Sequence, residues 1–253
     1  MTQAIHIVLQ GKGGVGKSVV ARLLLEYMIA KDRPYIGFDA DPVNQTFAAH
    51  DNPDVTAVSL LEGSRIDSGR FDRLMEDIFQ SDGRTIILDT GASSFLPFME
   101  YIEKNEVIAI LTGEGFEVFL HTIVTGGTSS GDTINGFVQL AERFGETCNV
   151  IVWENAFFGP VALGGKPFME IAAVKEVHAA DKVAGKVALE KPYDLHEVAL
   201  LAFLKTGISF DKASARDNTT FDTMTRHRLK QLREKYVEAM DVVIGETEHA
   251  DAA

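Results

Sequence analysis

The chain has 253 residues, 45% of them hydrophobic, enough to bury a full core in one α/β domain rather than two small ones. Its formal net charge of -13 makes the surface as a whole a poor match for a phosphate backbone, so nonspecific nucleic-acid binding requires a local basic patch. A single cysteine, Cys148, excludes an internal disulfide and a cysteine-built metal or iron–sulfur cage, and no run of about 18 apolar residues offers a bilayer span.

The N-terminal MTQAIHIVLQGKGG lacks a basic stretch and its apolar run ends quickly in glycines, so no signal peptide is expected. The expectation is a cytoplasmic bacterial protein with no direct membrane insertion. Along the chain, short apolar runs alternate with longer amphipathic ones, the pattern of a mostly parallel sheet with helices on both faces. Strand 5–10 leads into helix 17–30, then strand 35–39, helix 70–79, strand 85–89, helix 95–104 and strand 107–112. The stretch 125–133, rich in Gly, Ser and Thr, reads as a flexible loop with Asp132 as N-cap, or else as an anion site at a helix start. Helix 132–144, strand 149–154, helix 168–180, strand 186–189, helix 195–204 and a long helix 221–244 complete one domain, 1–244, with a polar, disordered tail at 245–253.

Chemistry concentrates at the first strand-to-helix junction. Gly11-Lys12-Gly13-Gly14-Val15-Gly16-Lys17-Ser18 matches G-x-x-x-x-G-K-[ST], placed between strand 5–10 and helix 17–30 as the mechanism requires. Glycines let backbone N–H groups converge on phosphates at the positive end of the helix dipole. Lys17 then reaches the β- and γ-phosphates of ATP, and the Ser18 hydroxyl coordinates Mg²⁺ directly. Asp89 closes the apolar run TIIL and fits a carboxylate holding Mg²⁺ through water, its plainer role being a cap. In FDADP, Asp41 is placed to orient the attacking water and the magnesium shell, and Asp39 to support the P-loop and the switch; a turn begun by Pro42 is the plainer role. The seven histidines show no H-E-x-x-H or paired spacing, so a zinc site is not expected.

The second lysine of KGGVGKS, Lys12, together with DADP, resembles the deviant Walker A ATPases of the ParA/MinD group, P-loop NTPases of the SIMIBI class. HIVLQGKGGVGKS, DADPVNQTF, ILDTGASSF, HTIVTGGTSSGDTINGFVQLA, VIVWEN with its nearby FGP, and TMTRHRLKQLRE are similar to a ParA-like family encoded in the transfer regions of conjugative plasmids. That likeness runs from the first strand to the last helix. It implies a slow, partner- or dimer-stimulated ATPase that forms a homodimer on binding ATP and switches among relaxosome, coupling or secretion-system proteins. It also implies that Lys12 reaches the partner's phosphates in trans, a role worth roughly 10³ to 10⁵ in rate for comparable fingers, and that Val19 flanks the nucleotide. Asn155 is implied to read the purine base, against the plainer role of a strand-end turn residue.

Two departures bear on the rate of hydrolysis: Val19-Val20 stands where many relatives carry hydroxyls, and Asp89 is followed by Thr-Gly-Ala instead of a proline-containing switch. A C-terminal DNA contact through Arg226, Arg228, Lys230 and Arg233 is implied only weakly, because Glu234 and Glu238 dilute the cluster. The alternatives are a nucleotide-gated scaffold or DNA-positioning protein with negligible hydrolysis, and a metabolic P-loop kinase or synthetase.

Overall fold

A computed structural model of the protein describes residues 3–41, 44–48, 52–62 and 65–245. Its main sheet has seven strands, all parallel: β1 (Gln3–Val8), β2 (Tyr35–Ala40), β3 (Val55–Ala57), β4 (Thr85–Thr90), β5 (Phe116–Thr125), β6 (Asn149–Asn155) and β7 (Gly185–Leu189). They lie in the order β7-β6-β5-β1-β4-β2-β3. The helices are α1 (Lys17–Ala30), α2 (Ser68–Phe79), α3 (Phe95–Lys104), α4 (Val107–Gly113), α5 (Ser130–Phe144), α6 (Ala172–Ala179), α7 (Asp194–Leu204), α8 (Phe210–Ser214) and α9 (Thr223–Met240).

Strand alternation divides the core in two. On β1, Ile5 and Ile7 point into a cluster closed by α2 to α6, while Ala4 and Val8 point into one closed by α1 and α7 to α9. A sheet covered on both faces needs strands apolar throughout, and Ile86, Ile87 and Leu88 are all fully buried. The expected α/β class, a mostly parallel sheet with helices on both faces in a single domain, is therefore the observed one.

One expected strand is a helix. Residues 107–112 form α4, with Val107, Ile108 and Leu111 buried and Ile110 49% exposed, an i, i+1, i+4 pattern that a strand cannot produce. The true strand is β5, ten residues whose apolar pattern is broken by Glu117, His121, Thr122 and Thr125. Two helix boundaries also move. Ile171 is extended and separates a 3₁₀ turn, Phe168–Glu170, from α6; Gly245, assigned to the tail, closes a π-helical turn at Asp241–Gly245. The rest of that tail, and Pro42, lie outside the described residues.

The polar residues of β5 are tolerated because neighbouring strands satisfy them. Trp153 Nε1–H donates to His121 Nδ1 at 2.9 Å, so His121 carries its proton on Nε2 and donates it to His6 Nδ1, also at 2.9 Å. His6 stacks on Phe119, and its Nε2 has no partner. Burial holds both imidazoles neutral, pushing His6 down to about 3 and His121 well below the ordinary histidine value. Depressed histidines contribute stability that is present above pH 6.5 and lost as pH falls toward the folded-state value, by up to about 1.4 kcal/mol per pH unit for each. Both ring signals are expected to stay those of the neutral Nε2–H tautomer from pH 8 to pH 4.5 in ¹⁵N NMR. Titration of either ring above pH 5 would contradict the buried chain.

Candidate functional site

Open parallel sheets place ligands beyond the carboxyl ends of the strands, where the strand order reverses. Here that point is β1, flanked by β4 on one side and β5 on the other. The chain leaves β1 through Gly11 to Gly16 and enters α1, whose N-cap, Gly16, has φ 106° and supplies no side-chain cap, so the first helical amides stay available to an anion. Gly11 permits a close approach: a Cβ there would lie 2.9 Å from Cδ1 of Phe95, the first residue of α3, so the loop and the segment after β4 are in direct contact. Space remains around Gly13 and Gly14, where an added Cβ would meet nothing within 4 Å.

Lys17 is 7% exposed and its Nζ donates to the Lys12 carbonyl at 3.2 Å, curling over the loop. Burial lowers its pKa, against the opposing pull of the Asp89 and Asp41 carboxylates. The register sets Asp39 beside Asp89 across β2 and β4. Asp89 is fully buried, and its pKa is pushed up to about 7, chiefly by desolvation and further by Asp39 and Asp41, while Ser18 and Lys17 pull it down. The Ser18 hydroxyl lies near enough to favour the charge, yet neither carboxylate oxygen of Asp89 has a partner of full hydrogen-bond geometry. A buried carboxylate with both oxygens open is an arrangement that a cation completes. Among the described residues no three His, Cys, Asp or Glu side chains gather into a cage. The donors present therefore fit Mg²⁺, which takes one hydroxyl and a carboxylate and draws its other ligands from water and phosphate. Ser18 and Asp89 would hold it, with Asp41 within electrostatic reach.

Two of the cavities that adjoin the loop share Gly14, Gly16 and Val19. One, of about 550 Å³, is bounded by Gly13, Lys17, Ser18, Asp41, Asn44, Thr46 and Ser93. The other, of about 190 Å³, also touches Gly14, Gly16 and Val19 and is walled largely by apolar side chains, among them Leu23 of α1, Phe157, Leu189, and Leu200 and Leu204 of α7. Asn44, Thr46 and Ser93 were not singled out from sequence, although they sit in the segments DADPVNQTF and ILDTGASSF. Gln10 was missed as well; its side-chain amide donates to the Thr122 hydroxyl and to the Ile123 and Thr133 carbonyls, tying the loop entrance to β5 and α5.

The geometry bears on three expected roles. Asp39 accepts from the amides of Asp41 (3.1 Å) and Ala48 (2.9 Å), so these bonds narrow its expected support to the switch segment after β2. Asn155 Nδ2 donates to the Val15 carbonyl at 3.0 Å and its Oδ1 accepts from Phe157 N–H, so this amide pins the P-loop to the end of β6 and keeps one amide proton to spare. Asp132 lies inside the first turn of α5, after N-cap Ser129, and pairs with Lys12 Nζ at 2.8 Å. Lys12, 41% exposed, thus faces outward from the loop and rests on its own chain.

The basic residues of α9 do not form a bare positive face. Arg226 donates to the Arg216 and Asn218 carbonyls, Arg233 pairs with Asp211 at 2.9 Å, and Lys235 with Glu190 at 2.7 Å, while Lys230 stands 3.9 Å from Glu234. No described helix is long and apolar enough to cross a membrane.

No protein-family model matches the chain. Among solved structures, the MinC:MinD cell division protein complex of Aquifex aeolicus aligns with 92% of this chain and 96% of its own, at 14% identity and a TM-score of 0.46. Two curated proteins, both named Protein TraL and both from Escherichia coli, are far nearer. One is 37% identical over 240 residues, covering 94% of this chain and 97% of the relative. The other is 38% identical over 229 residues, covering 89% and 92%. With identity at this level along nearly the whole length of both relatives, the chain belongs to the TraL family.

Proposed function

We propose that the protein is a Mg²⁺-dependent ATPase that acts as a dimer switch in conjugative plasmid transfer. The observation that carries the reading is the buried Asp89 carboxylate with two open oxygens, set against Lys17 and Ser18 at the mouth of a glycine loop. A permanently unpaired buried carboxylate only destabilises a fold, so it fits a site made to receive a cation. When bound, Mg²⁺ supplies charge neutralisation at the phosphates. The chain's own groups do the rest: Lys17 and the loop amides hold the phosphate oxygens, and Asp41, hydrogen-bonded to the Asn44 amide at 3.1 Å, orients water at the open side of the cavity. The contact of Phe95 with Gly11 supports coupling between phosphate occupancy and the segment after β4. In the dimer, Lys12 would exchange Asp132 for the partner's phosphates, and the clients would be relaxosome, coupling or secretion-system proteins.

Turnover per molecule is expected to rise with protein concentration. Lys17→Ala is expected to lose nucleotide affinity, and Lys12→Ala to keep it while losing about 10³-fold or more in rate. A specific rate independent of concentration removes the dimer, and unchanged turnover in Lys12→Ala removes the trans role. One observation favours a second reading, a nucleotide-gated binding protein that scarcely hydrolyses: Lys12 is already paired within its own chain. ATP binding with no turnover at any concentration selects it.

A further inference from the structure

We propose that the outer face of α7 is a self-association surface, on which a second copy of this chain packs its own α7 antiparallel. The contact needs no nucleotide and is distinct from the ATP-dependent dimer proposed above.

Eight of the eleven residues of α7 are apolar. A surface helix confines such residues to the stripe that faces the core, and a helix apolar all round is one covered all round. Within the chain α7 is covered on one side only. Ala199, Leu200 and Phe203 are buried, while Leu195, Val198 and Leu201 are 54%, 63% and 43% exposed. Tyr193, the N-cap, adds a ring that is 80% exposed.

The order of charges along this face points to what covers it. Asp194, Val198, Leu201 and Lys205 are all exposed and follow one another at steps of four, three and four residues, so they share one face. Acid stands at its start, apolar groups in the middle and base at its end. Reversed, the face is its own complement. With a two-fold axis midway between Val198 and Leu201, Val198 meets the partner's Leu201 and Asp194 meets the partner's Lys205. Among the described residues neither Asp194 nor Lys205 makes an ion pair, whereas the neighbouring Lys191 and Glu197 already pair with each other at 3.5 Å. The two signs also suit the dipole of α7 itself, but that leaves the exposed Val198 and Leu201 between them without a purpose; antiparallel packing uses all four and opposes the two dipoles as well. A lipid surface matches less well. Helices that lie in a bilayer interface carry many Lys and Arg on their polar face, and α7 has Asp194 and Glu197 with Lys205 alone past its end.

One helix pair buries less than the roughly 1,000 Å² of a stable interface, so the dimer is a weak, reversible one. The net charge of -13 on each copy opposes it, but at about 0.15 M salt charges are screened beyond about 8 Å and the groups in contact decide.

Sedimentation equilibrium on the full chain without nucleotide, from about 1 to 200 µM protein at about 0.15 M salt, tests this. The mass is expected to rise from the monomer's 27.7 kDa toward twice that. Val198→Asp is expected to weaken association by about ten-fold or more, because it buries a carboxylate against Leu201. Asp194→Lys and Lys205→Glu are each expected to weaken it about ten-fold, since like charges then meet at both ends of the pair. An equimolar mixture of those two variants is expected to recover it, because every end contact again joins opposite charges. Each variant folds the same alone or mixed, so recovery reports the contact and not the fold. A wild type that stays at 27.7 kDa at every concentration overturns the proposal, as does a Val198→Asp protein that associates like the wild type, or a mixture no more associated than its components. Association that appears only with Mg²⁺-ATP places the contact at the P-loop face and overturns it too. None of these failures touches the triphosphate reading, which calorimetry with Mg²⁺-ATP on the monomer decides by itself.

Discussion

Asp89→Asn is expected to unfold later than the wild type at pH 8 without nucleotide, and to lose most of the stabilisation that Mg²⁺ and ATP confer. The first half follows from the apo site. The carboxylate is wholly buried, has no partner of full hydrogen-bond geometry on either oxygen and lies beside two further aspartates, so ionising it in the folded state is unfavourable even against the pull of Ser18 and Lys17. A carboxyl whose pKa rises on folding, here from 3.8 to about 7, contributes stability fully present below about pH 4 and lost as pH rises through 7. Roughly three units at 1.36 kcal/mol each put the loss at pH 8 near 4 kcal/mol. Asparagine does not ionise. The stability difference between variant and wild type should therefore widen from pH 5 to pH 8, and reading it as a difference cancels the opposite trend set by His6 and His121. The second half follows from linkage: a ligand at 100 times its Kd adds about 2.7 kcal/mol to the wild type, and the variant has lost the charge that makes the cation welcome. Urea melts at pH 5, 6.5 and 8, with and without Mg²⁺-ATP, read both effects. A variant less stable than the wild type at pH 8 means the carboxylate is already compensated in the apo protein.

What the sequence disclosed and what it hid divide along the range of the interactions involved. Gly11 to Ser18 was legible as a glycine loop joining a strand to a helix because every part of the pattern is local: the glycines, the lysine and the hydroxyl lie within eight residues, with a strand before and a helix after. Strands β1, β2, β4 and β6 were legible because burial leaves a short, mostly apolar run, and edge strand β7 because Val187 and Leu189 alternate with exposed residues. Residues 107–112 looked the same and are a helix, since a six-residue apolar run carries too little periodicity to separate the two. Strand β5 was hidden by its polar residues, whose acceptability depends on His6, Asn149, Trp153 and Asn155, each about 30 or more residues away. The bond from Asn155 to the Val15 carbonyl was not legible, because its partner is 140 residues distant and nothing near Asn155 announces it.

The same dependence on distant contacts makes Arg22 a sensitive position. Arg22 and Glu26 lie one turn apart on α1, 3% and 4% exposed, with Nε and Oε1 3.0 Å apart. The second carboxylate oxygen of Glu26 accepts from Phe210 N–H at 2.8 Å, Arg22 donates to the Ile208 carbonyl, and the guanidinium sits 5.4 Å from the centre of the Phe203 ring. The pair thus fastens the helix that begins at the P-loop to the segment between α7 and α8, and Phe203 stacks on Phe210 at 3.9 Å behind it. Burial already raises the pKa of Glu26, with Arg22 the largest opposing influence. Arg22→Met keeps much of the apolar volume and strips that influence away, leaving a carboxylate in the core with one backbone donor. The expected loss is about 3 to 5 kcal/mol. Arg22→Met with Glu26→Leu should recover part of it and not all, because the Phe210 amide and the Ile208 carbonyl are then left unpaired, at about 1 to 3 kcal/mol each. Trp153, the sole tryptophan and fully buried on β6, reports the urea transition by fluorescence. Were the single variant to lose under 1 kcal/mol, or the double variant to be the weaker of the two, the pair would be a passive neighbour of α1 rather than its anchor to the α7–α9 layer.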